Sequence, residues 1–341
     1  MGYENLKLEK GMYRQEGMSF TQVLESLDPS ENYRGTALEN TDAFQRQLKR
    51  FGIRAKGAGS STVEKFFRTM DSAVLFPEYI ARTVRQGMEE NDILPHITAT
   101  TTVIDSMDYR SIYSVPTDAD KELKAVAEGE AIPETEVKSK EHLVSLSKRG
   151  RMLVASYEAI RFQKLDLFSV MLRQIGSYIQ KQQLADAVNV LINGDGNDNA
   201  AVQYTVGSSP ISGSKGTLGY DQLVEFWGKF DPYTMNTILC STSTMTDLLK
   251  IPELQNPMSG LNFQGTGKAG TPLGAEIHRT GAVADGVIIG LDKRYALELV
   301  RAGDVLVEYD KLIDRQLERA AITSISGFGK ICDGAVAVLN V

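Results

Sequence analysis

The longest uninterrupted helical pattern constrains the fold of this chain more than any other feature. It runs from Leu167 to Ile192, with Asp166 as a natural N-cap and the turn Gly194-Asp195-Gly196 after it. A helix of about 26 residues spans about 39 Å. Its apolar stripe comprises Phe168, Met171, Leu172, Ile175, Ile179, Val188, Leu191 and Ile192. Burying that stripe is worth roughly 12–24 kcal/mol as an upper bound, so we expect a spine helix on which a sheet packs.

The other patterns predict a mixed α+β fold rather than regular βαβ repetition. A helix is predicted around Pro77 to Glu90, with Ile80, Val84 and Met88 on one face. A Gly/Ser-rich stretch from Gly207 to Thr217 is typical of a domain boundary. Helices are also predicted at Leu218–Phe230 and Thr242–Lys250, and strands at Thr98–Ile104, Thr237–Cys240, Gly286–Gly290, Ala296–Val300, Val305–Tyr309, Ala320–Gly327 and Gly334–Val341.

The first 60 or so residues are polar and turn-rich. They contain two short helical patterns, from Ser19 to Leu27 and from Thr41 to Phe51. Such a segment has little capacity for a core of its own, so we interpret it as an arm that needs a partner surface. A floppy tail is the alternative. Contacts with that partner surface are expected at positions 48 to 50 and 54, which are Leu48, Lys49, Arg50 and Arg54.

Residues 108 to 154 have the pattern of a long hairpin with a charged tip. Its outgoing strand is predicted at Tyr109–Val115 and its return strand at about Lys140–Val154. The stretch between them is too polar to be core, and we expect it to protrude. A flexible surface loop is the alternative. The contact residues expected there are Glu128, Glu130, Glu134, Glu136, Lys138 and Lys140.

No set of residues has the spacing of a catalytic or metal site. The histidines His96, His142 and His278 are far apart in sequence, and none pairs at helical metal-ligand spacing. Cys240 and Cys332 lie in or beside apolar strands, which favours inert thiols over nucleophiles. No catalytic residue, cofactor or metal ion is therefore predicted.

Three loops resemble ligand-binding motifs only in part. Gly213–Thr217 and Gly265–Ala269 contain Gly-Lys pairs without the residue order of a phosphate-binding loop. Residues 193–199 have the composition of a calcium loop, but Asp198 stands where glycine is required and no glutamate closes the loop. A turn that ends the spine helix is the better interpretation.

Composition argues against several classes of protein. The net charge of −7 over 341 residues contrasts with the basic surplus of a tight nucleic-acid binder. There is no apolar run of about 18 residues, so no membrane span is expected. The N-terminal residues do not have the pattern of a secretory signal. Two cysteines are too few for a disulfide framework, which fits assembly in a reducing cytoplasm.

The order of these elements resembles the major capsid proteins of tailed bacteriophages, which have the Hong Kong 97-type fold. Residues 127–133, with an "EGxxxP" pattern, resemble the extended loop of that family, and residues 154–160 resemble the stretch leading into its spine helix. Residues 237–242, 271–277 and 287–292 resemble three later strands. The likeness covers roughly residues 62 to 341.

The resemblance implies a division into an arm, a loop and two domains. The order is N-terminal arm (1–75), peripheral domain (76–107), extended loop (108–150), peripheral domain with spine helix (151–215), axial domain (216–300), peripheral strands (301–331) and last axial strand (332–341). The loop would lie over one neighbouring subunit, and the arm would reach along another.

The resemblance also implies a structural protein rather than an enzyme, assembling as pentamers and hexamers into an icosahedral head shell around double-stranded DNA. Expected partners are other copies of the chain, a separate scaffolding protein, a portal, a decoration protein and DNA bound without sequence specificity. Assembly would take place in the bacterial cytoplasm without a membrane. The alternative is an encapsulin-like nanocompartment shell enclosing an enzyme cargo. Some relatives crosslink a loop lysine to an asparagine, but only Asn340 lies in the last strands, so no crosslink is expected.

Overall fold

The computed structural model describes residues 3–15, 18–106, 108–113, 138–255, 272–303 and 305–341. The chain divides into two units, each built from separate stretches of sequence. The first unit comprises Met1–Asn91, Lys148–Gln180 and Asp304–Ser324. The second comprises Asp92–Ser147, Lys181–Gly303 and Ile325–Val341. Contacts between residues distant in sequence therefore build both cores.

Helices begin where polar side chains can cap them. Capping boxes at Ser19, Asp42 and Thr69 start the first three helices. The described α-helices are α1 (Phe20–Leu27), α2 (Ala43–Arg50), α3 (Met70–Glu89), α4 (Leu94–Ile97), α5 (Tyr157–Phe162), α6 (Leu165–Asn193), α7 (Tyr220–Trp227), α8 (Thr242–Lys250) and α9 (Pro252–Gln255). Among them, none combines the length and apolar character that crossing a bilayer requires.

The strands include the seven that were predicted outside the hairpin. They are β1 (Thr98–Ile104), β2 (Ile112–Tyr113), β3 (Lys138–Ser139), β4 (Leu146–Ser156), β5 (Val202–Thr205), β6 (Thr237–Cys240), β7 (Glu276–Arg279), β8 (Val287–Leu291), β9 (Leu297–Ala302), β10 (Leu306–Leu312), β11 (Leu317–Lys330) and β12 (Val336–Asn340). Strands β1 and β6 have the predicted bounds. The return strand of the hairpin, predicted at about Lys140–Val154, is β4 and begins later, at Leu146, and β5 was not predicted. The mixed α+β class is confirmed.

The core of the first unit joins the N-terminal segment to α3. Its buried residues include Leu6, Leu8, Phe20, Leu24, Phe44, Leu48 and Ile53 from that segment, and Phe66, Leu75, Phe76, Ile80, Val84, Leu172, Ile179, Ala320 and Ile322 from the rest of the unit. The N-terminal segment thus obtains, by packing on its own chain, the core that its composition did not lead us to expect. Its separation as an arm stays a prediction.

A buried arginine closes the connection between α1 and α2. The Arg46 side chain is fully buried, and its Nε donates to Oδ2 of Asp28 at 2.6 Å. Its Nη2 donates to the Asp28 backbone carbonyl at 2.5 Å, and its Nη1 donates to the Thr41 carbonyl at 2.5 Å. Because a guanidinium offers five donors in a fixed plane, one side chain holds several loop acceptors together.

Two glycines allow α3 and α6 to touch backbone to backbone within the first unit. A Cβ atom at Gly87 would lie 2.1 Å from the Arg173 backbone oxygen, and one at Gly176 would lie 2.0 Å from the Val84 backbone oxygen. Neither distance leaves room for a methyl group. Glycine at both positions is therefore a condition for this helix crossing.

The second unit contains a five-stranded sheet in the order β5-β12-β8-β6-β7. The pairs β12–β8 and β6–β8 are antiparallel, whereas β12–β5 and β6–β7 are parallel. All four residues of β6 are buried, as its apolar sequence predicts. In the same unit, β1 pairs in parallel with β9, and β9 pairs antiparallel with the end of β11.

Three predictions about helices were wrong in detail. Helix α3 begins at Met70, capped by Thr69, so Pro77 lies inside the helix rather than at its start. Helix α6 begins at Leu165, so Asp166 is not its N-cap; its carboxylate accepts a hydrogen bond from the Gly57 amide at 3.3 Å instead. Met171 of the predicted apolar stripe is 51% exposed.

We predict that Gly176→Ala lowers the free energy of unfolding by roughly 1–3 kcal/mol, because the added methyl has no room beside α3. Helix propensity alone would stabilise this variant by about 0.5–1 kcal/mol, so the two effects have opposite signs. Urea unfolding followed by circular dichroism measures the difference. The control is Gly11→Ala in the same unit, where nothing lies within 4 Å of the added Cβ. A Gly176→Ala variant as stable as the wild type would contradict the helix contact.

Candidate functional site

The base of the predicted charged hairpin is a short antiparallel ladder. Strand β2 pairs with β3, with Ile112 opposite Ser139 and Tyr113 opposite Lys138. The backbone amide of Lys140 also donates to the Ser111 carbonyl at 2.9 Å. The two chain segments that the sequence paired therefore do meet. The tip carries Glu128, Glu130, Glu134 and Glu136, which lie outside the described residues.

Lys140 is buried in its own subunit, which differs from the exposed contact we expected. Its Nζ donates to Oδ2 of Asp195 at 2.8 Å and also to the Lys330 backbone carbonyl. The backbone amide of Lys330 donates to the same Asp195 oxygen at 2.9 Å. We call Lys140, Asp195 and Lys330 the loop anchor. It ties the hairpin base to the turn after α6 and to the last residue of β11.

The surroundings of the loop anchor lower the pKa values of two of its members, Asp195 and Lys330. Burial alone would raise the pKa of Asp195, but hydrogen bonds from Lys140, Asn197 and the Lys330 amide lower it overall. Burial lowers the pKa of Lys330 to about 8. The Lys330 Nζ donates to the Asn199 carbonyl at 2.7 Å. A buried carboxylate with paired donors stays ionised, so its attraction for Lys140 persists at neutral pH.

A second buried acid fixes the strand that precedes the hairpin. Glu298 on β9 accepts hydrogen bonds from three hydroxyls, at 2.5 Å from Thr102, 2.7 Å from Tyr109 and 2.6 Å from Ser111. Burial, followed by the hydrogen bond to Glu298, raises the pKa of Tyr109. Hydrogen bonds to a charged acceptor are the stronger kind, so this acid holds the start of the hairpin on the sheet.

The four residues expected as arm contacts differ in burial and in their hydrogen bonds. Leu48 is an apolar core residue of the first unit, so position 48 cannot serve as a polar contact. The Nη1 of Arg50 donates to the Leu6 carbonyl at 2.6 Å within the chain. Lys49 and Arg54 are exposed. Only these two keep the accessible charge that the prediction requires.

One face of α6 in the first unit carries exposed apolar side chains. Leu167, Val170, Met171 and Tyr178 are 60%, 50%, 51% and 57% exposed. At 3.6 residues per turn these positions fall on one side of the helix. In the same unit Phe162, just before the helix, is also exposed. Sequence periodicity located the opposite, buried face of this helix, assigned Met171 to it wrongly, and did not indicate the exposed apolar face.

The sequence profile of the phage capsid protein family matches residues 139–309, which is half of the chain. The chain belongs to this family. The match includes Lys140 and Asp195 of the loop anchor and the exposed face of α6. No curated protein sequence matches the chain.

Solved capsid structures share the fold. A virus-like particle from Pyrococcus furiosus is 12% identical, with a TM-score of 0.51 over 77% of this chain and 98% of that one. The capsid of a native GTA particle is 13% identical, with a TM-score of 0.52 over 76% of this chain and 90% of that one. The mature capsid of bacteriophage PhiM1 is 10% identical, with a TM-score of 0.50 over 73% and 87%. The predicted Hong Kong 97-type fold is confirmed.

Of the loops that resemble ligand-binding motifs, one has another role and one lies outside the described residues. The Asp195 carboxylate of the calcium-like loop is occupied by Lys140, and Gly194 adopts a φ of +83° that ends α6. Gly265–Ala269 lies outside the described residues. The histidines depart from expectation, because His96 and His278 are neighbours in space, with ring centroids 4.4 Å apart.

The loop anchor predicts a pH-dependent stability with a definite sign. Between pH 8 and pH 10.5 the unfolded Lys330 still binds its proton while the folded one has lost it. The free energy of unfolding therefore rises with pH over that window. Relative to Lys330→Met, which cannot titrate there, the wild type should gain roughly 2 kcal/mol between about pH 7 and about pH 9.5.

Urea unfolding of both proteins at several pH values measures this difference. The control is Lys250→Met, which removes an exposed lysine of the same unit that pairs with Asp247. Its difference from the wild type should change by less than about 0.5 kcal/mol across the same range. A Lys330→Met difference as flat as that of the control would mean that Lys330 keeps its proton in the fold.

Proposed function

We propose that this chain is the major capsid protein of a tailed phage, assembling as pentamers and hexamers into an icosahedral head shell that encloses double-stranded DNA. The observation that carries the proposal is the exposed apolar face of α6, in a chain of the phage capsid family. Its role is structural rather than catalytic. The partners we propose are further copies of the chain, a separate scaffolding protein, a portal and a decoration protein, within the virion assembled in the host cytoplasm.

Covering the exposed apolar face of α6 with another subunit would lower the free energy, which favours self-association. Soluble monomers rarely expose contiguous apolar patches, and large side chains grouped on one helix face mark an interaction site. Covering apolar surface contributes about 25 cal/mol per Å² of area removed from water. Contacts between unlike surfaces of identical subunits close into rings when the rotation closes, and pentamers and hexamers are such rings.

The direct test is assembly of the purified full-length chain, alone and with a co-expressed scaffolding protein. Light scattering and negative-stain microscopy should find closed particles. A chain that stays monomeric or dimeric under all assembly conditions would contradict the proposal. Particles formed in a host that carries the phage should protect double-stranded DNA from nuclease. Particles that instead enclose a protein cargo would support the nanocompartment alternative.

We predict that Met171→Glu leaves the subunit folded but lowers particle yield at least tenfold. Each 1.4 kcal/mol lost from an association equilibrium is a tenfold change, and a buried unpaired carboxylate costs more than that. The matched control is Met171→Leu, which keeps an apolar side chain of similar volume and should assemble normally. Circular dichroism checks the fold of both variants. Equal assembly of the two would exclude this face as an intersubunit contact.

We also propose that the hairpin contacts a neighbouring subunit through Glu128, Glu130, Glu134 and Glu136 of its charged stretch and through Lys138 of β3. The support is the high charge of a stretch that joins two paired strands, together with the family membership. Deleting residues 118 to 137, which spares β3, should leave the loop anchor intact and the thermal unfolding midpoint unchanged, while closed particles no longer form. Normal particles from this deletion would overturn the loop contact. Lys49 and Arg54 are the corresponding proposed contacts of the N-terminal segment.

A further inference from the structure

In the second unit, three side chains bring atoms that can bind a metal ion close to one another. Nδ1 of His96 lies 3.1 Å from Oε2 of Glu276, and Nε2 of His278 lies 3.4 Å from that same oxygen. One ligand atom from each residue lies within 4.8 Å of the other two. His96 and Glu276 are 180 residues apart in sequence, so spacing along the chain could not bring this group to notice.

The fold holds the three residues from two elements. Glu276 and His278 are two residues apart on β7, and alternate residues of a strand point to the same side. His96 belongs to the short helix α4 that leads into β1. The Thr237 hydroxyl, on the neighbouring strand β6, donates to the His96 carbonyl at 3.1 Å. Strand β6 also pairs with β7, placing Thr237 opposite Glu276. The backbone of all three residues is therefore fixed by one sheet.

Two of the three ligand separations fit a tetrahedral ion. Zinc binds histidine nitrogen and carboxylate oxygen at about 2.0–2.2 Å with tetrahedral geometry. Two ligands at about 2.05 Å and a tetrahedral angle lie about 3.3 Å apart. The measured separations of 3.1 Å and 3.4 Å bracket that value. Two histidines and one glutamate also form a donor set that proteins use for zinc, with water in the fourth position.

One ligand atom of the cluster is buried without a hydrogen bond to the described residues. The Nε2 atom of His278 is buried and has no hydrogen-bond partner among the described residues, only the Glu276 oxygen at 3.4 Å. A buried ring nitrogen in that position is available as a ligand.

We propose that His96 Nδ1, His278 Nε2 and the Glu276 carboxylate bind a divalent transition-metal ion of the zinc type, with water completing the coordination. The ion ties α4 to β7 within the second unit. Because a ligand that binds only the folded state stabilises that state, occupancy of the site raises the stability of the subunit.

The test is titration of the metal-free full-length chain with Zn²⁺, followed by calorimetry and by the thermal unfolding midpoint. One equivalent should bind and the midpoint should rise. His278→Gln and Glu276→Gln should each weaken binding more than about tenfold, since even residues that only support metal ligands contribute 10–100-fold. The matched control is His142→Gln, which removes the third histidine, outside the cluster, and should bind as the wild type does.

Cobalt substitution separates this site from the cysteines. Co²⁺ bound by two histidines and a carboxylate gives visible absorption without the strong near-ultraviolet charge-transfer band of thiolate ligands. That spectrum, lost in His96→Gln, would support the site. Three results would each overturn the proposal: no stoichiometric binding, binding unchanged in all three cluster variants, or a thiolate band that disappears when Cys332 is replaced. Circular dichroism of each variant without metal confirms that loss of binding is not loss of fold.

Discussion

The buried pair between Lys140 and Asp195 is the interaction on which the arrangement of the second unit depends. It lies where three distant segments meet: the base of the hairpin, the turn after α6 and the end of β11. Two charges taken out of water are costly unless every remaining donor and acceptor is satisfied. Here the Lys330 amide and Asn197 complete the shell of Asp195. Removing either partner would leave a buried charge, so the pair fixes a unique position for the hairpin base.

The hairpin base and the contact between α3 and α6 are held within the chain, whereas the proposed interface requires a neighbouring subunit. The hairpin base is held by hydrogen bonds to two buried acids, Asp195 and Glu298. In the first unit, the glycine contact between α3 and α6 fixes the helix that carries the exposed apolar face. A rigid element that displays uncovered apolar side chains suits a protein whose final state is an assembly, because its interface is formed before the partner arrives.

The sequence predicted the positions of helices and strands better than it predicted which residues they contact. The spine helix and the two strands Thr98–Ile104 and Thr237–Cys240 follow from local periodicity and composition, which act over a few residues. The start of α3 was misplaced because Pro77 is a typical first residue of a helix, whereas the capping box at Thr69 decided the boundary. The N-terminal segment was taken as coreless because its few apolar residues are buried in a core that it shares with α3 and other distant parts of the first unit.

The candidate site could likewise be predicted only in part from the sequence. Pairing of the hairpin strands was predictable from a charged stretch between two strand patterns, but the burial of Lys140 was not, because its partner Asp195 lies 55 residues away. The cluster of His96, Glu276 and His278 was missed for the same reason. Such groupings depend on the folded topology, and a single sequence without a recognised spacing carries no local signal of them.

The most direct test of the account is a cryo-electron microscopy reconstruction of particles formed by the full-length chain. The account predicts a closed icosahedral shell in which Leu167, Val170 and Met171 are covered by a neighbouring subunit. A closed shell in which these side chains face solvent would contradict the proposed role of the α6 face. Failure of the chain to form closed particles under any assembly condition would contradict the proposed function itself.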